Sequence, residues 1–92
     1  MKQEEKQLEQ MCRAYARERG WVCWKNEKNG CKGIPDDSFL SPDGSAFFLV
    51  EFKKDDKQRL RPEQKTWRER YPDVVKLVTN FDEFKEILAK FL

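Results

Sequence analysis

Histidine is absent from this chain, cysteine occurs three times, and glycine and proline four times each. Each scarcity narrows the chemistry. Without histidine there is no Ser–His or Cys–His pair, so nucleophilic catalysis of that kind is ruled out. Cys12, Cys23 and Cys31 are odd in number, which argues against a closed disulfide framework. They contain no Cys-x-x-Cys spacing, and with no histidine to join them they fall short of a structural zinc site. Three reduced thiols in an intracellular protein is the reading they favour. No apolar run approaches the ~18 residues of a membrane span. The polar, acidic opening Met1-Lys2-Gln3-Glu4-Glu5 has none of the marks of a signal peptide. The expectation is an intracellular protein with no membrane partner and no small-molecule cofactor. Any hydrolysis has to run on carboxylates, lysines or a metal ion.

What the chain does have is charge. Its 92 residues suffice for one domain, 38% of them hydrophobic, 13% aromatic and 39% charged. A surface must carry most of that charge, and a net charge of +2 permits a polyanionic partner without requiring one.

Periodicity divides the chain into seven elements. Leu8, Met11, Cys12, Tyr15 and Ala16 recur at helical spacing, with Glu9 at the edge of the stripe and Gly20 as a stop. Trp21 to Trp24 reads as a short strand, and Asn29-Gly30 as a turn. Ile34 to Leu40 reads as a second strand with an irregular start at Pro35. Pro42-Asp43-Gly44 is a tight turn into Ala46 to Lys53, the best strand in the chain, nearly continuously apolar. That short connection predicts an antiparallel hairpin. A charged loop follows, then a helix starting at Pro62 and ending before Pro72. Val74 to Val78 is a further strand. Asn80 and Glu83 have capping-box spacing ahead of a last amphipathic helix with Phe84, Ile87, Leu88 and Phe91. The order α-β-β-β-α-β-α, with a helix between the last two strands, predicts a parallel crossover and a mixed α/β sheet.

Glu51 and Lys53 interrupt the best strand. Two apart, they project from one face, while Val50 and Phe52 point the other way. A strand end reaching water would explain them; so would a site in which the acid binds a cation and the lysine acts on a substrate. Asp36 bears on the choice. It follows Pro35 at the start of the strand that hairpins onto the Glu51 strand, and residues across such a pair can come close. Two converging carboxylates repel unless a cation joins them, and hard oxygen ligands suit magnesium or manganese. By itself, Asp36 reads as an exposed turn acid.

The joint pattern is more specific than its parts. Pro35-Asp36, fourteen intervening residues, then Glu51-Phe52-Lys53 resembles the signature of the PD-(D/E)XK nuclease superfamily. Within it, the chain resembles the virus-type replication-repair nuclease (VRR-NUC) family, in its stand-alone phage-type form. Glu9 ahead of Gly20, the stretch Lys32-Gly33-Ile34-Pro35-Asp36, and Gln64 with Trp67 three residues on carry that likeness. The resemblance implies a metal-dependent DNA endonuclease using Mg2+ or Mn2+. Asp36, Glu51 and the backbone carbonyl of Phe52 would hold the metal, with Glu9 completing the cluster, through a water if need be. Asp37, which doubles the acid, is expected not to be the ligand. Lys53 would orient the attacking water and steady charge on the phosphate, and Gln64 would position Lys53 or the phosphate. The resemblance further implies a homodimer acting on branched DNA such as four-way junctions, in replication, recombination or repair. A silent nucleic-acid-binding module and an RNA-processing nuclease are the alternatives.

The basic residues Lys54, Lys57, Arg59 and Arg61 beside the site, with Lys25, Lys28 and Lys32 as a second row, are candidate phosphate contacts. A solvated loop balanced by Asp55 and Asp56 is the plainer explanation. Trp21, Trp24 and Trp67 are expected in the core rather than stacked on bases. The last helix is expected to pack in the core rather than to form a dimer interface.

Overall fold

The computed structural model describes residues 5–27, 30–54 and 60–91. Helix α1 (Glu5–Glu18) is followed by strands β1 (Val22–Lys25), β2 (Asp37–Leu40) and β3 (Phe47–Phe52). Helix α2 (Pro62–Arg70), strand β4 (Val75–Val78) and helix α3 (Phe81–Ala89) complete the chain. This is the predicted order. The sheet runs β1-β2-β3-β4, antiparallel across the first two pairings and parallel across β3–β4.

Helix α1 buries Leu8, Cys12 and Ala16, one stripe of a 3.6-residue period. Its end is made by Gly20 at φ 84°, a conformation that favours glycine. The Trp21 N–H then reaches the Ala16 carbonyl at 3.0 Å and the Gly20 N–H reaches Arg17 at 3.0 Å. That pair of bonds is a Schellman cap. The cap absorbs Trp21, so β1 starts one residue later than its composition suggests. At the other end, the Asn80 side chain accepts the Glu83 N–H at 2.9 Å, and Glu83 Oε1 accepts the Thr79 N–H at 3.0 Å, starting α3.

Strand parity decides what each sheet face holds. Cys23, Phe39, Phe48, Val50 and Phe52 join Leu8, Cys12, Trp21, Phe84 and Leu88 in the core beneath α1 and α3. Phe48 packs parallel to Phe39 and Phe91, with ring centroids 5.4 and 5.6 Å away. The opposite face carries Leu49, Glu51 and Lys53, and α2 packs over its β4 side.

Three expectations change here, one of them Trp67, which is only partly buried and lies outside the core, its indole N–H donating to the Lys32 carbonyl at 3.3 Å. Trp24 lies outside the core, 43% exposed, beside Phe47 at 45%. Because Cys23 takes the core face, Trp24 must take the other, and α2 covers the far side of that face. Their ring centroids are 6.3 Å apart. Phe91 is also 43% exposed, although its ring packs on Trp21 and Phe48. Phe84 and Leu88 of α3 are buried as expected.

Candidate active site

The register of the β2–β3 hairpin pairs Asp37 with Val50. Continued by one residue, it sets Asp36 directly opposite Glu51, on the sheet face shared with Lys53. Glu51 and Lys53 are 4% and 8% exposed, so neither is the water-reaching strand end that composition allowed. Lys53 Nζ lies 3.8 Å from Glu51 Oε2. The backbone N–H of Lys53 donates to Val78 at 3.0 Å, which ties this end of β3 to the parallel strand.

The ladder ends here for a covalent reason. Hydrogen bonds between the two strands fall on the odd residues of β2, because the even ones face β1: the Asn26 N–H reaches the Asp36 carbonyl at 2.8 Å, while the Ser41 N–H reaches Ala46 at 2.9 Å. The next bonded position after Asp37 and Val50 is therefore Pro35 opposite Phe52. Proline has no N–H to give the Phe52 carbonyl. The Phe52 N–H goes instead to Asp36 Oδ2, at 2.9 Å. The Pro35 carbonyl accepts from Asn26 Nδ2, at 3.0 Å. Strands β2 and β3 thus fork at the Pro35-Asp36 dipeptide.

Next to the fork, Gly33 has φ 81°, and a Cβ there would lie 2.4 Å from Glu63 Cβ. Only glycine lets the loop before Pro35 lie this close to the first turn of α2. In that turn, Gln64 Oε1 accepts the Arg61 N–H at 3.0 Å. Gln64 is buried, and it lines one small cleft with Pro35, Glu51, Leu60 and Leu77. Its hydrogen bond is to the helix start, not to Lys53.

A second acidic group occupies the other face. Asp37 Oδ2 accepts from Arg13 at 2.8 Å, and Arg13 lies 3.6 Å from Glu9. Lys25 Nζ is 3.5 Å from Glu9. Burial pushes the Asp37 carboxyl above the usual carboxylate range, and a hydrogen bond with Glu9 pushes the same way against the pull of Arg13. Asp37 Oδ1 has no donor of its own. Glu9 therefore sits with Asp37, not in one cluster with Asp36 and Glu51. The reason is parity: Asp37 and Lys25 face α1, and Asp36 faces away. Glu9 and Asp36 nonetheless line one cleft of about 570 Å³ at the fork, with Arg13, Lys25 and Phe52.

Among the described residues no three acidic, histidine or cysteine side chains converge on a point. A cation at the fork would rest on Asp36, Glu51, the Phe52 carbonyl, and oxygens of water or substrate. An all-oxygen set with few protein ligands suits a hard ion that keeps its waters, such as magnesium.

The candidate phosphate contacts are dispersed. Lys25 and Lys32 are exposed and ion-paired, Lys32 Nζ lying 3.3 Å from Glu63. Lys54 and Arg61 are exposed beside the fork. Lys28, Lys57 and Arg59 fall outside the described residues, as does Asn29 of the expected turn. Arg13 and Asn26 escaped sequence reasoning, and Asp37 was read only as the acid that is not the ligand. The four-residue spacing of Glu9 and Arg13 was the one available signal; Asn26 gave none.

No family model matches the chain, and no curated protein matches it in sequence. A solved structure described as a VRR_NUC domain superposes on it with a TM-score of 0.82 at 23% identity, covering 96% of this chain and 97% of that one. The fold of this chain, an α/β sheet in the order α-β-β-β-α-β-α, is that of a VRR_NUC domain.

Proposed function

We propose that this chain is a nuclease that hydrolyses phosphodiester bonds of DNA with Mg2+ or Mn2+. One observation carries the reading: Asp36 and Glu51 stand opposite each other on one face where the ladder forks, with the Lys53 ammonium 3.8 Å from Glu51. The fold shared with a VRR_NUC domain supports it.

A divalent ion bound there stabilises negative charge on the phosphate and lowers the pKa of bound water. The residues do the rest. Asp36 and Glu51 hold the ion by their carboxylates, helped by the Phe52 carbonyl. Lys53, nearly buried, offers fixed N–H donors to the charge that develops on the scissile phosphate. Gln64 fixes the start of α2, and through it the wall facing Glu51. Glu9 tightens the cleft from the other side through its contacts with Arg13 and Lys25. Lys25, Lys32, Lys54 and Arg61 supply phosphate contacts around it, and Lys57 and Arg59 are further candidates on the sequence alone.

Branched DNA is the substrate this reading favours, a four-way junction above all, cut by a two-fold dimer that carries two sites. The apolar face of Val22, Trp24 and Phe47, each at least 43% exposed, supports pairing of two copies. The test is cleavage of a labelled junction with either metal, beside Glu51→Ala and Lys53→Ala. Both variants are expected to lose at least about a hundredfold in rate. Equal cutting by wild type and variants sinks the assignment. Metal-insensitive binding with no cutting favours the silent module, and cutting of RNA alone favours the RNA-processing reading.

A further inference from the structure

Pro35 explains why the Phe52 carbonyl receives no N–H from the neighbouring strand. It does not explain why the Phe52 N–H is left for Asp36. The Pro35 carbonyl remains a good acceptor, and in a continuing ladder it would take that N–H. Asn26 prevents this. Its Nδ2 donates to the Pro35 carbonyl at 3.0 Å, its backbone N–H donates to the Asp36 carbonyl at 2.8 Å, and its Oδ1 accepts the Ser38 hydroxyl at 2.7 Å. The amide orientation follows from its partners, because a carbonyl needs a donor. Three bonds from one residue draw residues 35, 36 and 38 toward β1. The Phe52 N–H then has Asp36 Oδ2 as its partner, which fixes one carboxylate oxygen and orients the other.

We propose that Asn26 is a positioning residue that holds the β2–β3 fork open and presents the Asp36 carboxylate to a divalent cation. The inference rests on the cation-binding reading of the preceding section. Without the Asn26 amide, the Pro35 carbonyl can turn to the Phe52 N–H and extend the ladder by one bond. Asp36 then loses its anchor, and the fork narrows between the two carboxylates.

The experiment is Mn2+ binding to the protein alone, by calorimetry, for wild type, Asn26→Ala and Asn26→Asp, with urea unfolding of each. Asn26→Ala is expected to weaken Mn2+ binding by at least ~tenfold, the scale on which residues behind metal ligands act. Asn26→Asp keeps the acceptor for Ser38 but cannot donate to Pro35 when ionised. It serves if the alanine variant fails to fold, and the same weakening is expected. Lower stability with unchanged Mn2+ affinity assigns Asn26 a purely structural role and overturns the proposal. So does an Asn26→Asp variant that binds Mn2+ more tightly, since charge would then outweigh geometry. If wild type itself binds no Mn2+, the cation-binding reading falls and this inference falls with it. Wild-type binding with undisturbed variants overturns the inference alone.

Discussion

At the scale of single residues, neighbours in sequence do unrelated work. Asp36 and Asp37 differ by one position and face opposite sides of the sheet. Asp36 bonds the Phe52 N–H; Asp37 is buried against Arg13 and Glu9. Replacing Asp37 by Ala would leave Arg13 without its closest partner. A loss of about 1–2 kcal/mol is expected, since one charged hydrogen bond goes while Glu9 stays 3.6 Å from Arg13, and denaturant unfolding measures it. A wild-type midpoint in Asp37→Ala would show that the pair contributes nothing. Cysteine behaviour is equally local. Burial pushes the Cys12 thiol up to about 12, with Asp37 and Glu9 adding to the shift. Cys31 is exposed and Cys23 buried. One thiol should therefore react quickly with an alkylating reagent in the native protein, and two only on unfolding. Fast labelling of all three would contradict the packing of α1 on the sheet.

At the scale of elements, turns and loops set the site more than strand propensity does. The hairpin turn between β2 and β3 is closed by Asp43, whose carboxylate accepts from the Ser45 N–H at 3.0 Å and from the hydroxyls of Ser45 and Ser41 at 2.7 and 2.9 Å. Those bonds hold its pKa down from 3.8 to about 2, the Ser45 backbone N–H contributing most. The sign follows from linkage: a depressed carboxylate stabilises the fold above its unfolded pKa and loses that contribution as pH falls through the folded one. The stability gap between wild type and Asp43→Ala should hold steady from neutral pH to about 4 and shrink toward about pH 2, as read by urea midpoints. A gap independent of pH would dismiss the charge. In the loop before Pro35, Gly33→Ala should cost more than about 2 kcal/mol, since it adds backbone strain to a clash with α2. A neutral substitution there would mean that the loop does not lie against Glu63.

The same scale shows what was legible in the sequence. All seven elements, the hairpin and the parallel crossover could be read, because each rests on periodicity, a capping residue or a connection length. Asp36 opposite Glu51 could be read because a hairpin fixes register. The division of the acids between two faces could not: it depends on where β2 begins, and Pro35 hides that by allowing an extended but unpaired residue. Trp24 was misjudged because hydrophobicity carries no parity. Its burial depends on how far α2 extends over the sheet, which no local pattern encodes. Asn26 was invisible because its bonds go to residues nine to twelve positions away.

At the scale of the whole molecule, one sheet face is covered by α1 and α3, and the other is covered over β4 while remaining open near β1. If two copies pair through the open part, Trp24→Glu should convert a dimer to a monomer in sedimentation without unfolding it. An unchanged sedimentation coefficient, whether dimeric or monomeric, would move any interface elsewhere. Among the described residues no helix is long and apolar enough to cross a membrane.

The hairpin has a consequence in time as well as in space. Asp36 and Glu51 are separated by fourteen residues, so bringing them together closes a short loop, whose entropic cost grows only slowly with length. Strand β4, by contrast, joins the sheet only after the α2 crossover. Folding rate tracks such differences in sequence separation. Pulse-labelled amide exchange should accordingly protect β2 and β3 before β4, and the reverse order would refute the idea. On this schedule the two carboxylates meet while the rest of the chain is still arriving, and their mutual repulsion becomes a tax on the earliest stage of folding, one that a divalent ion in the refolding buffer would lift.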